Sequence, residues 1–472
     1  MIKFKDISFS YENSTLGGEL KNIDLNINKG DFVLLTGKSG CGKSTLLNMI
    51  SGIIPHHTKG KISGSIEVDG KDVLKTSVQE MALSVGSVFQ NPKSQFFHLN
   101  TTDEIIFSAT NKGVPADELV NRLEHTAALF HMEDILDRNI FRLSGGEKQK
   151  IACASVYAGQ PKIFIFDEPS ANLDQFAIDE LKRIFTALKN EGKTVLVAEH
   201  RLFYLMDIAD RIVYIDEGKM KAEFSTGEFK SLSKESRKAM GLRAIHQPVI
   251  NGRAEKVSTT LDKTSVIAST AETGDLVIKD LVFSYDNEPV LNLEHIKLNK
   301  GNAVAILGKN GSGKSTLSHC LCGLNKCKGI FLEGKGYSEK KRLKSFDLVM
   351  QDVNHQLFTE SLMDEMRLAA KHDTSRKEIE EILSELELIS YKDRHPMSLS
   401  GGQKQRLVIG ASMASGKDYV IFDEPTSGLD YIHMEAFAKM VEKLKNQAKL
   451  ILIITHDYEL VNLCCDAIIQ MG

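Results

Sequence analysis

Two stretches of the sequence have the residue types and spacing needed to hold a phosphate chain. Gly37-Lys38-Ser39-Gly40-Cys41-Gly42-Lys43-Ser44-Thr45 and Gly308-Lys309-Asn310-Gly311-Ser312-Gly313-Lys314-Ser315-Thr316 both fit G-x-x-x-x-G-K-[ST], after an apolar run and before a helical one. In such a loop Gly37, Gly40 and Gly42, and likewise Gly308, Gly311 and Gly313, let the backbone wrap the phosphates, while amides at the helix start donate to them. Lys43 or Lys314 reaches the β and γ groups, and the hydroxyl of Ser44 or Ser315 can ligate Mg²⁺. Asp167-Glu168 and Asp423-Glu424 each close a four-residue apolar run. At such a strand end Asp167 or Asp423 can hold Mg²⁺ through water, and Glu168 or Glu424 can face an attacking water; the plainer alternative is a capping acid. Leu143-Ser144-Gly145-Gly146 and Leu399-Ser400-Gly401-Gly402 each precede a helical run. Alone, that is an N-cap, and the same geometry is an anion site.

These pieces must be positioned by elements that occur twice. Phe9-Ser10-Tyr11 returns as Phe283-Ser284-Tyr285, Gln90 as Gln351, Asp174 as Asp430 and His200 as His456. The offset only falls along the chain, from 274 to 256, so two homologous modules stand in tandem. Their expected bounds are 1–230 and 276–472, joined by a loosely packed Ser/Thr-rich linker over 231–275. Each module opens with alternating apolarity (2–11 and 276–285), which predicts a half-buried antiparallel sheet. Wholly apolar runs follow at 32–35, 163–166 and 194–198, with counterparts at 303–307, 419–422 and 450–454. Runs of that kind suit parallel strands covered by helices on both faces, an α/β fold.

Composition narrows the setting. With 472 residues, two to four domains at roughly 150 residues each are expected. Lys plus Arg number 59 against 63 Asp plus Glu, a net charge of −4, which argues against a dominant basic face, so no nucleic-acid partner is expected. No apolar run is long enough to cross a bilayer, and the N-terminus lacks the apolar core of a secretory signal. Seven thinly spread Cys fit a reducing, cytoplasmic compartment. Cys320 and Cys322, with Cys327 beyond, read as a packed helix face rather than a thiolate metal site.

The ordered set of phosphate loop, Gln, Leu-Ser-Gly-Gly, Asp-Glu, Leu-Asp and His, present twice, resembles the ATP-binding subunits of ABC transporters over nearly the whole chain except the linker. The resemblance implies two P-loop NTPase modules, each a parallel β core with helices plus an antiparallel β subdomain and a helical subdomain. It implies a head-to-tail pseudo-dimer within one chain: Ser400-Gly401-Gly402 would close over ATP held by Lys43, and Ser144-Gly145-Gly146 over ATP held by Lys314. Tyr11 and Tyr285 would stack on adenine, with Thr45 and Thr316 completing the two phosphate loops. Gln90 and Gln351 would touch Mg²⁺ or water and report to a membrane partner, His200 and His456 would sense the γ-phosphate, and Asp174 and Asp430 would couple the sites. Since both copies keep their Glu and His, two hydrolytically competent sites are expected.

Phe89-Gln90-Asn91-Pro92-Lys93-Ser94-Gln95-Phe96-Phe97, its counterpart Met350-Gln351-Asp352-Val353-Asn354-His355-Gln356-Leu357-Phe358, and Ala198-Glu199-His200-Arg201-Leu202 look like the ATPases of energy-coupling factor (ECF) vitamin and metal importers. That likeness implies a peripheral protein on the cytoplasmic face of the membrane, gripping a transmembrane coupling protein that carries a separate substrate-binding membrane protein. The rival is a soluble fused ABC ATPase of translation-factor type acting on ribosomes. The Ser/Thr-rich linker and the charge of −4 count against it.

Overall fold

The computed structural model describes residues 1–12, 19–250, 255–259, 274–285, 288–399 and 401–471. It divides into two compact units, Met1–Gln247 with Asp430–Ile432, and Pro248–Leu429 with His433–Gly472.

In the first unit a six-stranded sheet runs in the order Lys219–Ser225, Arg211–Asp216, Phe32–Gly37, Thr194–Ala198, Ile163–Asp167, Val85–Val88. All neighbours are parallel except the first pair. Alternate residues of the apolar runs serve opposite faces: Phe32 and Leu34 join one core cluster while Val33 and Leu35 join the other, and Phe164 and Phe166 part from Ile163 and Ile165 in the same way. A strand buried on both sides has no place for a polar residue until its end, which is why the acids follow the run. Helix Gln175–Asn190 covers one face with Ile178, Leu181, Ile184, Phe185 and Leu188, a stripe at helical spacing. Helices Thr101–Asn111 and Ala116–Phe130 pack on Gly145–Ala158 and extend that core through Ile105, Ala127 and Phe130.

An antiparallel sheet of Leu20–Ile27, Ile2–Tyr11, Gly60–Val68 and Lys71–Asp72 completes the unit. Its alternation slips once: Ile2 and Phe4 are buried, then Ile7 and Phe9, with the exposed Lys5-Asp6 between them. A bulge absorbs the extra residue, with Asp6 at φ 49°.

The second unit repeats this plan. Its large sheet, Glu255–Thr259, Ala467–Met471, Ala303–Leu307, Leu450–Ile454, Tyr419–Asp423 and Phe346–Val349, is parallel throughout. Glu288–Leu298, Leu276–Tyr285, Ile330–Leu332 and Lys335–Gly336 form the antiparallel sheet.

The stretch read as a loose linker divides differently. Residues 231–247 belong to the first unit, and Glu255–Thr259 is an edge strand of the second. The hydroxyls taken as a sign of solvated coil partly serve as caps, Ser233 accepting from the Ser236 N–H at the start of helix Lys234–Ala239. Leu242 and Ile245, three apart, are buried in the first core, and Tyr214 Oη donates to the Met240 carbonyl at 3.0 Å. Residues 260–273 lie outside the described residues. Leu242→Ala and Ile245→Ala should each destabilise the first unit by about 2–5 kcal/mol, the range for emptying a buried aliphatic site. Urea unfolding of the full chain checks this; unchanged midpoints would mean that the segment is not part of that core.

Candidate functional site

Each phosphate loop leaves the end of a central strand and turns into a helix. Gly37, Gly40 and Gly42 have φ of 149°, 75° and 105°, and Gly308, Gly311 and Gly313 have 158°, 84° and 89°. Space is also required at the first position: a Cβ on Gly37 would sit 1.9 Å from the Ile215 carbonyl oxygen, and one on Gly308 2.6 Å from that of Met471. Lys43 is buried, its Nζ donating to the carbonyls of Gly37 at 3.1 Å and Lys38 at 3.0 Å. Lys314 repeats this with Gly308 at 2.7 Å and Lys309 at 2.8 Å. Ser44 Oγ donates to Asp167 Oδ1 at 3.0 Å, and Ser315 Oγ to Asp423 Oδ2 at 3.2 Å.

The catalytic candidates converge on these loops. Glu168 stands at φ 45° and Glu424 at φ 48°, and their N–H groups donate to the Ala198 and Ile454 carbonyls, both at 2.9 Å. A glutamate in the left-handed region carries strain of order 1–3 kcal/mol, here at equivalent positions of both units. His200, 4% exposed, places Nε2 3.3 Å from Glu168 Oε1 and 3.3 Å from Lys43 Nζ. His456 Nε2 lies 3.4 Å from Glu424 Oε1 and 3.1 Å from Asn310 Oδ1. Gln90 Nε2 donates to Glu168 Oε2 at 2.7 Å. Burial and then the Glu168 charge push the Asp167 carboxyl up to about 6, against the Ser44 hydrogen bond; burial also raises Asp423. Burial acts upward on Glu168 too, but the hydrogen bond and charge of His200, with Lys43, hold it below its ordinary value. Two acids crowded beside a hydroxyl, one of them reluctant to ionise, fit a divalent cation that would relieve both.

Other predicted residues are placed as follows. Tyr11 Oη is hydrogen-bonded to Thr45 Oγ1 at 2.9 Å, and Tyr285 Oη accepts from Asn325 Nδ2 at 3.2 Å. Thr316 is half-buried on helix Lys314–Cys322, and Gln351 is exposed after strand Phe346–Val349. Ser144 caps helix Gly145–Ala158 in a reciprocal box, accepting from the Glu147 N–H at 3.3 Å while its own N–H donates to Glu147 Oε2 at 2.7 Å. A Cβ on Gly146 would meet Ala177 at 2.7 Å, so the second glycine admits the helix that Asp174 caps. Gly401 and Gly402 open helix Gly401–Ser415, Asp430 is buried, and Ser400 lies outside the described residues. Cys320 and Cys322 are buried in the second core, and no metal-holding group of three or more acids, His or Cys occurs among the described residues.

Sequence reasoning missed two buried acids. Glu104 Oε2 accepts the N–H groups of Phe97 at 2.9 Å and His98 at 2.8 Å; Glu365 Oε2 accepts those of Phe358 at 3.0 Å and Thr359 at 3.1 Å. The glutamine five residues beyond each Gln was a visible signal, and it works from inside the loop: Gln95 Oε1 accepts from the Phe89 N–H at 3.3 Å, and Gln356 Oε1 from the Met350 N–H at 2.8 Å.

A parallel sheet whose central strand feeds a phosphate loop, with an acid pair at the end of the next strand but one, defines a P-loop NTPase, here built twice. The chain belongs to the ABC transporter family, whose signature matches residues 20–171 and 291–427. A Treponema denticola protein named as an ABC transporter ATP-binding protein is 42% identical over 474 residues, covering 100% of this chain and 95% of that protein. A Methanosarcina mazei protein of the same name is 32% identical over 518 residues, covering 100% and 87%. The solved structure of an archaeal ribosome recycling factor in complex with a ribosomal stalk protein gives a TM-score of 0.63 at 22% identity, covering 98% of this chain and 87% of that one, a likeness of fold alone. Two domains of this family make the protein an ATPase that binds ATP with Mg²⁺.

Gly37→Ala should drive a methyl into the Ile215 carbonyl and remove nucleotide binding by the first unit. Gly40→Ala meets no atom within 4 Å and carries only the left-handed penalty of about 1–2 kcal/mol. Titration with a fluorescent ATP analogue separates the two: the stoichiometry should fall from two to one for Gly37→Ala and stay at two for Gly40→Ala.

Proposed function

We propose that the protein is the ATP-hydrolysing energy-coupling subunit of a membrane importer, of ECF type and serving a vitamin or metal ion. It would work at the cytoplasmic face with a transmembrane coupling protein and a substrate-binding membrane protein. The observation that carries this reading is a pair of exposed aromatics: Phe97 and Phe358, each 76% exposed, stand on loops that follow Gln90 and Gln351 and are tied down by buried Glu104 and Glu365. An aromatic held in water by a fixed backbone marks a surface built for a partner. On the same loop Gln90 bonds Glu168, so a partner seated at Phe97 has a short route to the hydrolytic acid. No helix among the described residues is long and apolar enough to cross a membrane, which under this reading leaves the pore to other chains.

In this mechanism Lys43 and Lys314, with their loop amides, bind the phosphates, and Tyr11 and Tyr285 stack on the adenine. Ser44, Asp167 and Gln90, and Ser315, Asp423 and Gln351, would hold Mg²⁺, which when bound neutralises charge on the phosphate oxygens. Glu168 and Glu424 orient the attacking water, and His200 and His456 face the γ-phosphate. Each Leu-Ser-Gly-Gly helix would serve the nucleotide of the opposite module, with Asp174 and Asp430 coupling the two, so that the fusion supplies its own pair. Catalysis is then positioning and charge stabilisation.

Glu168→Gln combined with Glu424→Gln should abolish ATP turnover while ATP binding persists; hydrolysis at the normal rate in the double variant would refute the assignment. Phe97→Asp with Phe358→Asp should leave the soluble ATPase rate intact but move the chain out of the membrane fraction. Co-purification decides the class: membrane proteins support the importer, whereas sedimentation with ribosomes would establish the translation-factor reading instead.

A further inference from the structure

Beside the catalytic candidates of the first unit lies a carboxylate that the mechanism above does not use. Glu199 is 2% exposed and accepts four hydrogen bonds. Oε1 takes the N–H groups of His200 at 2.7 Å and Arg201 at 3.1 Å; Oε2 takes the Ser170 N–H at 3.2 Å and the Tyr204 hydroxyl at 2.9 Å. Burial, then the Glu199 charge, pushes the Tyr204 phenol well above its ordinary range, so it remains a donor. Arg201, also buried, donates back to the Leu173 carbonyl at 3.1 Å, on the loop that carries Ser170. One side chain thus joins the segment carrying His200 to the segment that follows Glu168.

The duplication supplies an internal comparison. At the corresponding positions of the second unit Ser170, Glu199, Arg201 and Tyr204 become Thr426, Thr455, Asp457 and Leu460. There the same two segments are joined by other chemistry: Thr426 Oγ1 donates to Asp457 Oδ2 at 3.0 Å, and the Asp457 N–H donates to Thr455 Oγ1 at 3.0 Å. Thr426, Thr455 and Asp457 are all buried. All four positions differ as a set while the connection persists. A buried polar group that merely filled space could give way to apolar residues.

We propose that Glu199 is a positioning residue of the first ATP site, fixing His200 and the loop after Glu168 as one unit, a task performed in the second site by Asp457 with Thr426. The inference rests on the proposed role of Glu168. The His200 Nε2 contacts to Glu168 and Lys43, both 3.3 Å, leave little tolerance, and a displacement of about 1 Å at a reacting centre can cost on the order of 100-fold in rate. Glu199→Gln replaces one acceptor oxygen with an N–H pair that faces two donors, and so breaks the connection at nearly constant volume.

The test compares Glu199→Gln with Glu168→Gln in the full-length chain, reading kcat, KM and ATP-analogue Kd, with thermal unfolding as the control for folding. Glu199→Gln is expected to bring kcat down to the level of Glu168→Gln while KM, Kd and the unfolding midpoint stay close to those of the unaltered protein. Transplanting the second set (Ser170→Thr, Glu199→Thr, Arg201→Asp and Tyr204→Leu together) should recover turnover that Glu199→Thr alone loses. Should Glu199→Gln fail to fold, Tyr204→Phe removes a single donor and should lower kcat with Kd unchanged; full kcat in that variant overturns the proposal. Normal kcat in Glu199→Gln, beside a reduced rate in Glu168→Gln, overturns the positioning role alone. Normal kcat in Glu168→Gln overturns the reading of the site itself, and the positioning role with it.

Discussion

Everything at the first site depends on parallel strands that end side by side. Ile163–Asp167 and Phe32–Gly37 both pair with Thr194–Ala198, so the acid pair, the phosphate loop and the His200 segment emerge at the same edge of the sheet. The Glu168 N–H to Ala198 carbonyl bond extends that pairing one residue beyond the strand, and the chain then turns with Glu168 at φ 45°. Backbone hydrogen bonding thus places the residue, and Gln90 and His200 contact the two oxygens of its carboxylate. Apart from Thr36, whose hydroxyl donates to the Glu199 carbonyl, the interior of these strands is apolar, so the lowest-energy place for charge is the strand end, and that is where the acid pair stands.

The two units solve the same problem with different supports. Ser44 with Asp167 and Ser315 with Asp423 are near-identical pairs, as are Glu168 with His200 and Glu424 with His456. Around them the supports differ: Glu199 in the first unit gives way to Asp457 in the second. The pairs around the two phosphate loops keep one geometry. Residues behind them are constrained only to preserve that geometry, which several hydrogen-bonding schemes can do.

Much of the fold could be read in advance, since period and burial are local properties. The strands Ile2–Tyr11, Thr194–Ala198, Ala303–Leu307 and Leu450–Ile454 span the runs that alternation and apolarity mark out. The reading failed where composition stood in for contacts. Ser233 and the residues around it looked like solvated coil, yet the serine caps a helix, and Leu242 and Ile245 beyond it find a core that nothing nearby in sequence announces. The bulge at Lys5-Asp6 was present in the pattern as two successive polar residues, but its effect on register required the partner strand.

By itself the sequence determined the motifs and their duplication. A glycine-lysine loop, an acid pair after an apolar run and a histidine after another are set by covalent order, and their recurrence needs no coordinates to be seen. Only tertiary structure decided which side chains hold those groups in place. Glu104 lies seven residues from Phe97 but across a loop-to-helix junction, where helical spacing does not apply, and Glu199 lies 29 from Ser170, so periodicity announces neither pairing. Burying a carboxylate costs least where donors meet its oxygens, and the donors that meet those of Glu104 and Glu199 come together only when the chain folds.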